Sequence, residues 1–189
     1  MDTYTGFAIG ALLSKEVFAF KRAFQARIHS NHKVNHRASG YLPHVTAVRE
    51  IPSWKLLQFI SQLPTQKLDV GITELKILRP QGRDFDVLAF DVVSSEIESL
   101  NHELSGYLKS QQKFEFVPHL TIDFLKKDCS GWYEKGSQLY TNTSVFDRIE
   151  IPRGLETKGW VLYTPQGEEI PLSVYNDNEA LIQYVEMAA

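Results

Sequence analysis

The chain has 189 residues, 43% of them hydrophobic and 12% aromatic, with one cysteine and a formal net charge of −3. That length suits one domain with a well-buried core. The composition excludes a disordered chain, and the single cysteine excludes an intrachain disulfide, which points to a reducing compartment. The acidic balance argues against a protein that holds long nucleic acid, which carries a basic excess. The charge is nonetheless uneven: between Glu16 and Glu50 there is no Asp or Glu, while Lys21, Arg22, Arg27, Lys33, Arg37, Arg49 and four of the six histidines fall in that interval. A local positive field of this kind attracts a small anion.

In chain order, residues 6–13 read as a buried strand. Their apolar run is too short to cross a bilayer and follows no basic residues, so a soluble cytoplasmic protein without a signal peptide is expected. Ser14 then reads as a helix N-cap, with Val17, Phe20, Phe24 and Ile28 following at helical spacing. A polar loop from Ser30 to Leu42 leads into Pro43 and a strand from His44 to Glu50, and a short helix over 53–63 stops at Pro64. Strands over 68–79 and 85–94 are joined by the polar turn Pro80-Gln81-Gly82-Arg83-Asp84.

Ser95-x-x-Glu98 reads as a capping box opening a helix with Ile97, Leu100, Leu104 and Leu108 on its apolar face. Pro118 precedes a strand from His119 to Leu125. Further strands are expected at 145–151, 160–164 and 170–175, and residues 165–189 form a C-terminal extension that ends in a helix from Asn176 to Ala189. No linker or low-complexity segment divides the chain, so residues 1–189 read as a single domain.

This order hides a repeat. Strand 6–13, a Ser-capped helix and the strand at His44 form one unit; strand 85–94, a Ser-capped helix and the strand at His119 form another. Each unit delivers Pro-His-x-Thr: Pro43-His44-Val45-Thr46 in the first and Pro118-His119-Leu120-Thr121 in the second. A lone His-x-Thr is expected about 0.2 times by chance in a chain of this length, so one copy would carry no weight. Two copies, both after proline and both in the same slot of a repeat, carry a great deal.

On a strand, residues i and i+2 share a face. Each histidine therefore sits beside its threonine, with Val45 and Leu120 turned the other way. If the strands lie side by side across a pseudo-two-fold axis, two imidazoles and two hydroxyls converge on one cleft. The set suits phosphodiester cleavage: a neutral imidazole takes a proton from the attacking group, a protonated one gives a proton to the leaving oxygen, and the hydroxyls bond to non-bridging oxygens. The scheme calls for no metal and no cofactor, and one cysteine with no His–carboxylate ligand spacing argues against a zinc site.

PHVT and PHLT, 75 residues apart from His44 to His119, resemble the signature of the 2H phosphoesterase superfamily, which includes LigT-like RNA 2′,3′-cyclic phosphodiesterases. The likeness spans roughly residues 4–165. It implies an α+β, bilobal 2H-phosphoesterase-like fold: two pseudo-symmetric β-α-β-type lobes with antiparallel sheets around a central cleft. It implies catalytic roles for His44, Thr46, His119 and Thr121. It also implies action on 2′,3′-cyclic phosphates, 2′,5′-linked oligonucleotides or related cyclic nucleotides; some viral members of the superfamily destroy nucleotide messengers of host defence. The long His- and Lys-bearing loop before the first motif departs from the pattern.

Secondary candidates for holding substrate are Tyr4, Phe7, Trp160 and Tyr163 by stacking, Lys33 and Arg37 from a mobile cationic loop, and Asp123 as an acid two past Thr121. Phe7 and Trp160 fit better as core residues and Asp123 as a solvated acid at a strand end, while the loop reads as readily as a plain connection. The expected partner is a small nucleotide or oligonucleotide substrate of a monomeric protein, with no long duplex and no membrane. A binding module that holds RNA or a nucleotide without turnover, and a ribonuclease with two catalytic histidines, are the competing readings.

Overall fold

The computed structural model describes residues 6–108, 116–137, 146, 149, 152 and 154–172. The elements are β1 (Phe7–Leu13), α1 (Lys15–Arg27), β2 (His44–Ile51), α2 (Leu56–Ser61), β3 (Asp69–Leu78), β4 (Phe85–Val93), α3 (Ser95–Gly106), β5 (His119–Lys126), α4 (Lys127–Ser137), β6 (Leu155–Tyr163) and β7 (Glu169–Leu172). Three 3₁₀ turns, at Ser30–His32, Arg37–Gly40 and Ser53–Lys55, lie in the connections. The fold is α+β, with every strand pairing antiparallel, in the order β1-β2-β5-β4-β3-β6-β7. Because β6 also pairs with β1, the pairings return to their starting strand. The circuit is narrow at two junctions: β2 meets β5 at Val45↔Leu120, and β3 meets β6 at Asp69↔Glu156 and Val70↔Leu155. These junctions separate a lobe of β1, β2, β6 and β7 from a lobe of β3, β4 and β5.

The repeated β-helix-β units fall one to each lobe, and their helices cross over. The apolar stripe of α1 reaches the other unit's strand, where Phe20 and Phe24 pack on Phe90 with ring centroids 5.2 and 5.1 Å away. Val17, Ile28 and the α3 stripe of Ile97, Leu100 and Leu104 enter the same core. The crossing is fixed by two buried amides. β2 carries a bulge between the pairs Ile9↔Val48 and Gly10↔Thr46, leaving Ala47 out of the ladder; β5 carries one between Leu88↔Asp123 and Ala89↔Thr121, leaving Ile122 out. The two extra residues stand three past His44 and three past His119, the same place in each motif. A bulge strands backbone groups that burial makes costly to leave unpaired. Asn101 on α3 donates its Nδ2 to the Ala47 carbonyl at 2.6 Å, and Gln25 on α1 donates its Nε2 to the Ile122 carbonyl at 2.8 Å. Each unit's helix thus caps the other unit's bulge.

Several expectations need correction. The cap of α3 is Ser94, whose hydroxyl accepts from the Ile97 amide at 3.5 Å; with Ile97 at the third helical position no capping box forms, and Glu96 rather than Glu98 sits beside the serines. Helix α4 has no counterpart among the expected elements, because its sequence KDCSGWYEKGS holds two glycines and two serines and has weak intrinsic propensity. Strand β6 begins five residues before the expected 160, and α2 is shorter than 53–63 because its first turn is 3₁₀. The expected strand at 145–151 falls mostly, and the terminal helix wholly, outside the described residues. No helix among the described residues is long and apolar enough to cross a membrane.

The capped bulges make a direct prediction. Asn101→Leu and Gln25→Leu keep the volume but leave a buried carbonyl unpaired, so each should lower unfolding free energy by about 1–3 kcal/mol. Urea titration of the two variants checks it; a change below about 0.5 kcal/mol in both would show that water or a shifted strand satisfies the carbonyls instead.

Candidate active site

β2 and β5 lie side by side in the register Val45↔Leu120, and both of these residues are buried in the core. By alternation, His44, Thr46, His119 and Thr121 project from the opposite face, and all four are half-buried. The structure therefore brings together the four residues of the two motifs. Each ring is held in the same way: His44 Nδ1 lies 2.8 Å from the Leu42 carbonyl and His119 Nδ1 lies 2.7 Å from the Val117 carbonyl, in both cases two residues upstream. A carbonyl only accepts, so Nδ1 carries the proton in both rings and Nε2 is the unprotonated nitrogen left for the cleft.

Burial is the main influence on both imidazoles. It pushes His44 from 6.5 down to about 3, against the upward pull of the Leu42 hydrogen bond, with Lys21, His119 and Arg49 lowering it further. It pushes His119 to about 4, with Arg49 next in effect and Lys76 also lowering. Asp91, paired across the strands with His119 and ion-paired with Lys76, pulls the other way. Both histidines are therefore neutral near pH 7.

Two site residues lie outside the candidates that the sequence pattern offered. Strict parity from His44 puts Arg49 on the core face, but the extra Ala47 resets the count: Val48 is buried in the core and Arg49 turns to the cleft side, where its charge acts on both histidines. The trace in the sequence is the consecutive apolar pair Ala47-Val48 directly after Thr46, where a regular strand would alternate. Gly10 is the second. It faces Thr46 across β1 and β2, and a Cβ built there would stand 2.8 Å from His44 Cδ2. The His44 ring lies where any side chain at position 10 would be.

The secondary candidates are mostly placed elsewhere. Tyr4 lies outside the described residues. Phe7 and Trp160 are 6% and 2% exposed within the core, and the Trp160 indole donates to the Pro64 carbonyl at 3.0 Å. Asp123 is not on the cleft face: the bulge at Ile122 pairs it with core-facing Leu88. There it is 2% exposed, accepts the Ser39 hydroxyl at 2.7 Å and pairs with Lys33 at 3.3 Å. Lys33 also donates to the Gln25 carbonyl at 2.7 Å, and Arg37 donates to the Gln166 carbonyl.

The segment expected to be a mobile cationic clamp is instead tied down at intervals. Val34 donates to Phe124, Gln25 donates to the Ser39 carbonyl, and buried Lys21 donates to the Tyr41 carbonyl at 2.9 Å. Burial lowers the Lys21 ammonium to about 8, with Asp123 and Glu169 opposing that fall. Of the described stacking candidates, Tyr163 adjoins the motif residues, with its hydroxyl 2.6 Å from His44 Nδ1. Among the described residues no group of three or more His, Cys, Asp or Glu side chains is arranged to hold a metal ion.

The antiparallel α+β fold is an architecture shared with solved structures. The chain is similar to TT0787 of Thermus thermophilus, with a TM-score of 0.54 and 13% identity over 90% of this chain and 100% of that one. It is similar to Usb1 of Kluyveromyces marxianus, with a TM-score of 0.55 and 10% identity over 90% and 99%. It is also similar to E. coli LigT complexed with 3′-AMP, with a TM-score of 0.52 and 14% identity over 89% and 95%. At these identities the likeness is one of fold. No family model matches the sequence, and no curated protein matches it.

Gly10→Ala should displace the His44 ring or β1 by a fraction of an ångström to an ångström. A misplacement of that size costs on the order of 10²-fold in rate. Turnover of the variant, with a thermal melt to show that it is folded, tests this; a folded Gly10→Ala protein with full turnover would show that the ring position is not critical.

Proposed function

We propose that the chain is a metal-independent phosphodiesterase of the 2H type, cleaving phosphodiester bonds of small nucleotides: a 2′,3′-cyclic phosphate, a 2′,5′-linked oligonucleotide or a cyclic oligonucleotide. The single observation that carries the reading is the pair of matched imidazoles on adjacent strands, each with Nδ1 fixed to a carbonyl and Nε2 left for chemistry. The fold likeness to LigT complexed with 3′-AMP and to Usb1 with uridine monophosphate supports the substrate class.

In this scheme water attacks phosphorus while one neutral imidazole takes its proton at Nε2. The other imidazole, protonated, gives its proton to the leaving oxygen as the P–O bond breaks. The Thr46 and Thr121 hydroxyls donate to the non-bridging oxygens, and Arg49 neutralises the charge that builds on them. The substrate has a further role. Both histidines are neutral near pH 7, and the phosphate anion of the substrate is the group that raises one of them to hold the acid's proton.

His44→Ala and His119→Ala should each lower kcat by about 10²–10⁴, and the double variant should be little slower than either single one. Near-native turnover of both single variants on the best of a panel of 2′,3′-cyclic nucleotides, 2′,5′-oligoadenylates and cyclic dinucleotides would place the chemistry elsewhere. Binding without product formation across that panel would favour a non-catalytic nucleotide-binding module. Activity should persist through exhaustive chelation; loss on EDTA with recovery on adding a divalent ion would refute the proton scheme.

The pH dependence follows from the directions of the two shifts. The kcat/KM profile reports the free enzyme, whose histidines titrate at about 3 and about 4. Its bell should therefore peak on the acid side of neutrality. The kcat profile reports the complex, where the substrate's negative charge favours the imidazolium, and should peak at higher pH. Coincident maxima at or above neutral pH would contradict this account of the cleft.

A further inference from the structure

We infer that Tyr163 and Glu169 are positioning residues that act through His44, forming the chain Glu169–Tyr163–His44 behind the reacting nitrogen; this rests on the phosphodiesterase reading of the same site. The direction of every bond in the chain is forced. The Leu42 carbonyl, 2.8 Å from His44 Nδ1, cannot donate, so the proton is on Nδ1. The Tyr163 hydroxyl donates to Glu169 Oε1 at 3.0 Å, so the phenol oxygen, 2.6 Å from Nδ1, faces the ring as an acceptor. Nδ1–H is therefore shared between a carbonyl and a phenol whose own proton points to a carboxylate.

Local structure explains why these groups meet. Tyr163 and Glu169 are cross-strand partners that close the β6–β7 hairpin. Glu169 Oε1 also accepts the Leu42 amide at 2.8 Å, so one carboxylate holds both the phenol and the backbone residue that holds the ring. Tyr163 is 5% exposed, stacked on Tyr41 at 4.8 Å and tilted on His44 at 4.5 Å. A ring so enclosed is not a platform for a nucleobase, which removes stacking as its use. The groups whose positive charge lowers His44 are Lys21, Arg49 and, when it is protonated, His119, while Glu169 supplies negative charge to the far side of the phenol. Whenever His44 holds the reacting proton at Nε2, the phenol oxygen and the carboxylate behind it stabilise the imidazolium, and at all times they fix the Nδ1–H tautomer. His119 has a carbonyl at the equivalent position and, among the described residues, no phenol or carboxylate on Nδ1, so the two motifs are wired differently.

Tyr163→Phe keeps the ring and removes the acceptor; Glu169→Gln keeps an acceptor for Tyr163 and Leu42 and removes the charge. Steady-state kinetics of the full chain on a 2′,3′-cyclic mononucleotide should show Tyr163→Phe lowering kcat by about tenfold, the scale seen when an outer partner of a functional histidine is lost, with KM within about twofold. Glu169→Gln should lower kcat by several-fold, and adding Tyr163→Phe to His44→Ala should cost nothing more. Imidazole ¹⁵N NMR gives a readout that needs no turnover: both variants should shift the His44 Nδ1 signal and leave His119 in place. Wild-type kcat with an unmoved His44 signal in both variants would overturn the relay. A raised KM at unchanged kcat in Tyr163→Phe would overturn it in favour of a substrate contact. Retained turnover in His44→Ala and His119→Ala would instead sink the phosphodiesterase reading, while the NMR shifts would still decide whether the relay exists.

Discussion

Two buried hydrogen bonds, Asn101 to the Ala47 carbonyl and Gln25 to the Ile122 carbonyl, set the geometry on which the site depends. β2 and β5 touch at a single register pair, too little ladder to fix their relative position by backbone bonding alone. What holds them is helix α1 of one unit reaching the bulge of the other, and α3 reaching back. Each bond satisfies a carbonyl that the bulge has expelled from its ladder, so lobe docking and bulge formation are one event. The bulges in turn decide what faces the cleft, because each inserts a residue just past the motif threonine and reverses the parity beyond it. Arg49 is delivered to the cleft and Asp123 is withdrawn from it by the same device at matching positions.

The electrostatics follow from that docking. Bringing two strands together with their polar residues on one face removes water from both imidazoles, and burial is the largest cause of the low pKa at each. The neutral pair is flanked by the positive charges of Arg49, Lys76 and Lys21, concentrated there on a chain that is acidic overall. The same field adds to the cost of protonating either histidine.

The sequence showed the parts of this arrangement that local pattern controls. The repeated strand-helix-strand units, the apolar stripes of α1 and α3 and the shared face of His44 with Thr46 and of His119 with Thr121 are all consequences of periods of 3.6 and 2. What it hid depends on partners distant in the chain. Parity past a bulge cannot be counted from one strand, which is why Asp123 reads as a cleft residue and proves to be a buried anchor for Ser39 and Lys33. Lys33 and Arg37 read as either a cationic clamp or a plain connection because their acceptors, Asp123 within β5, the Gln25 carbonyl on α1 and the Gln166 carbonyl in the β6–β7 turn, are set by tertiary packing. Helix α4, with its glycines and serines, forms in context rather than from propensity, its Ser130 hydroxyl reaching buried Asp86 at 2.7 Å. Glu169 carried no signal of its own, since only the β6–β7 hairpin brings it beside Tyr163.

The longer connection in the first unit is where the repeat stops being symmetric, and it packs against the second unit's strands. Val34 and Ala38 pack on Phe85, Val87, Ala89 and Phe124, with His36 stacked on Phe124 at 3.9 Å. Ala89 is the cross-strand partner of Thr121, so this cluster occupies the concave face immediately beyond the second motif. The segment therefore acts as a wall: its backbone is bonded to β5 through Val34 and its far end to the β6–β7 turn through Tyr41 and Gly167.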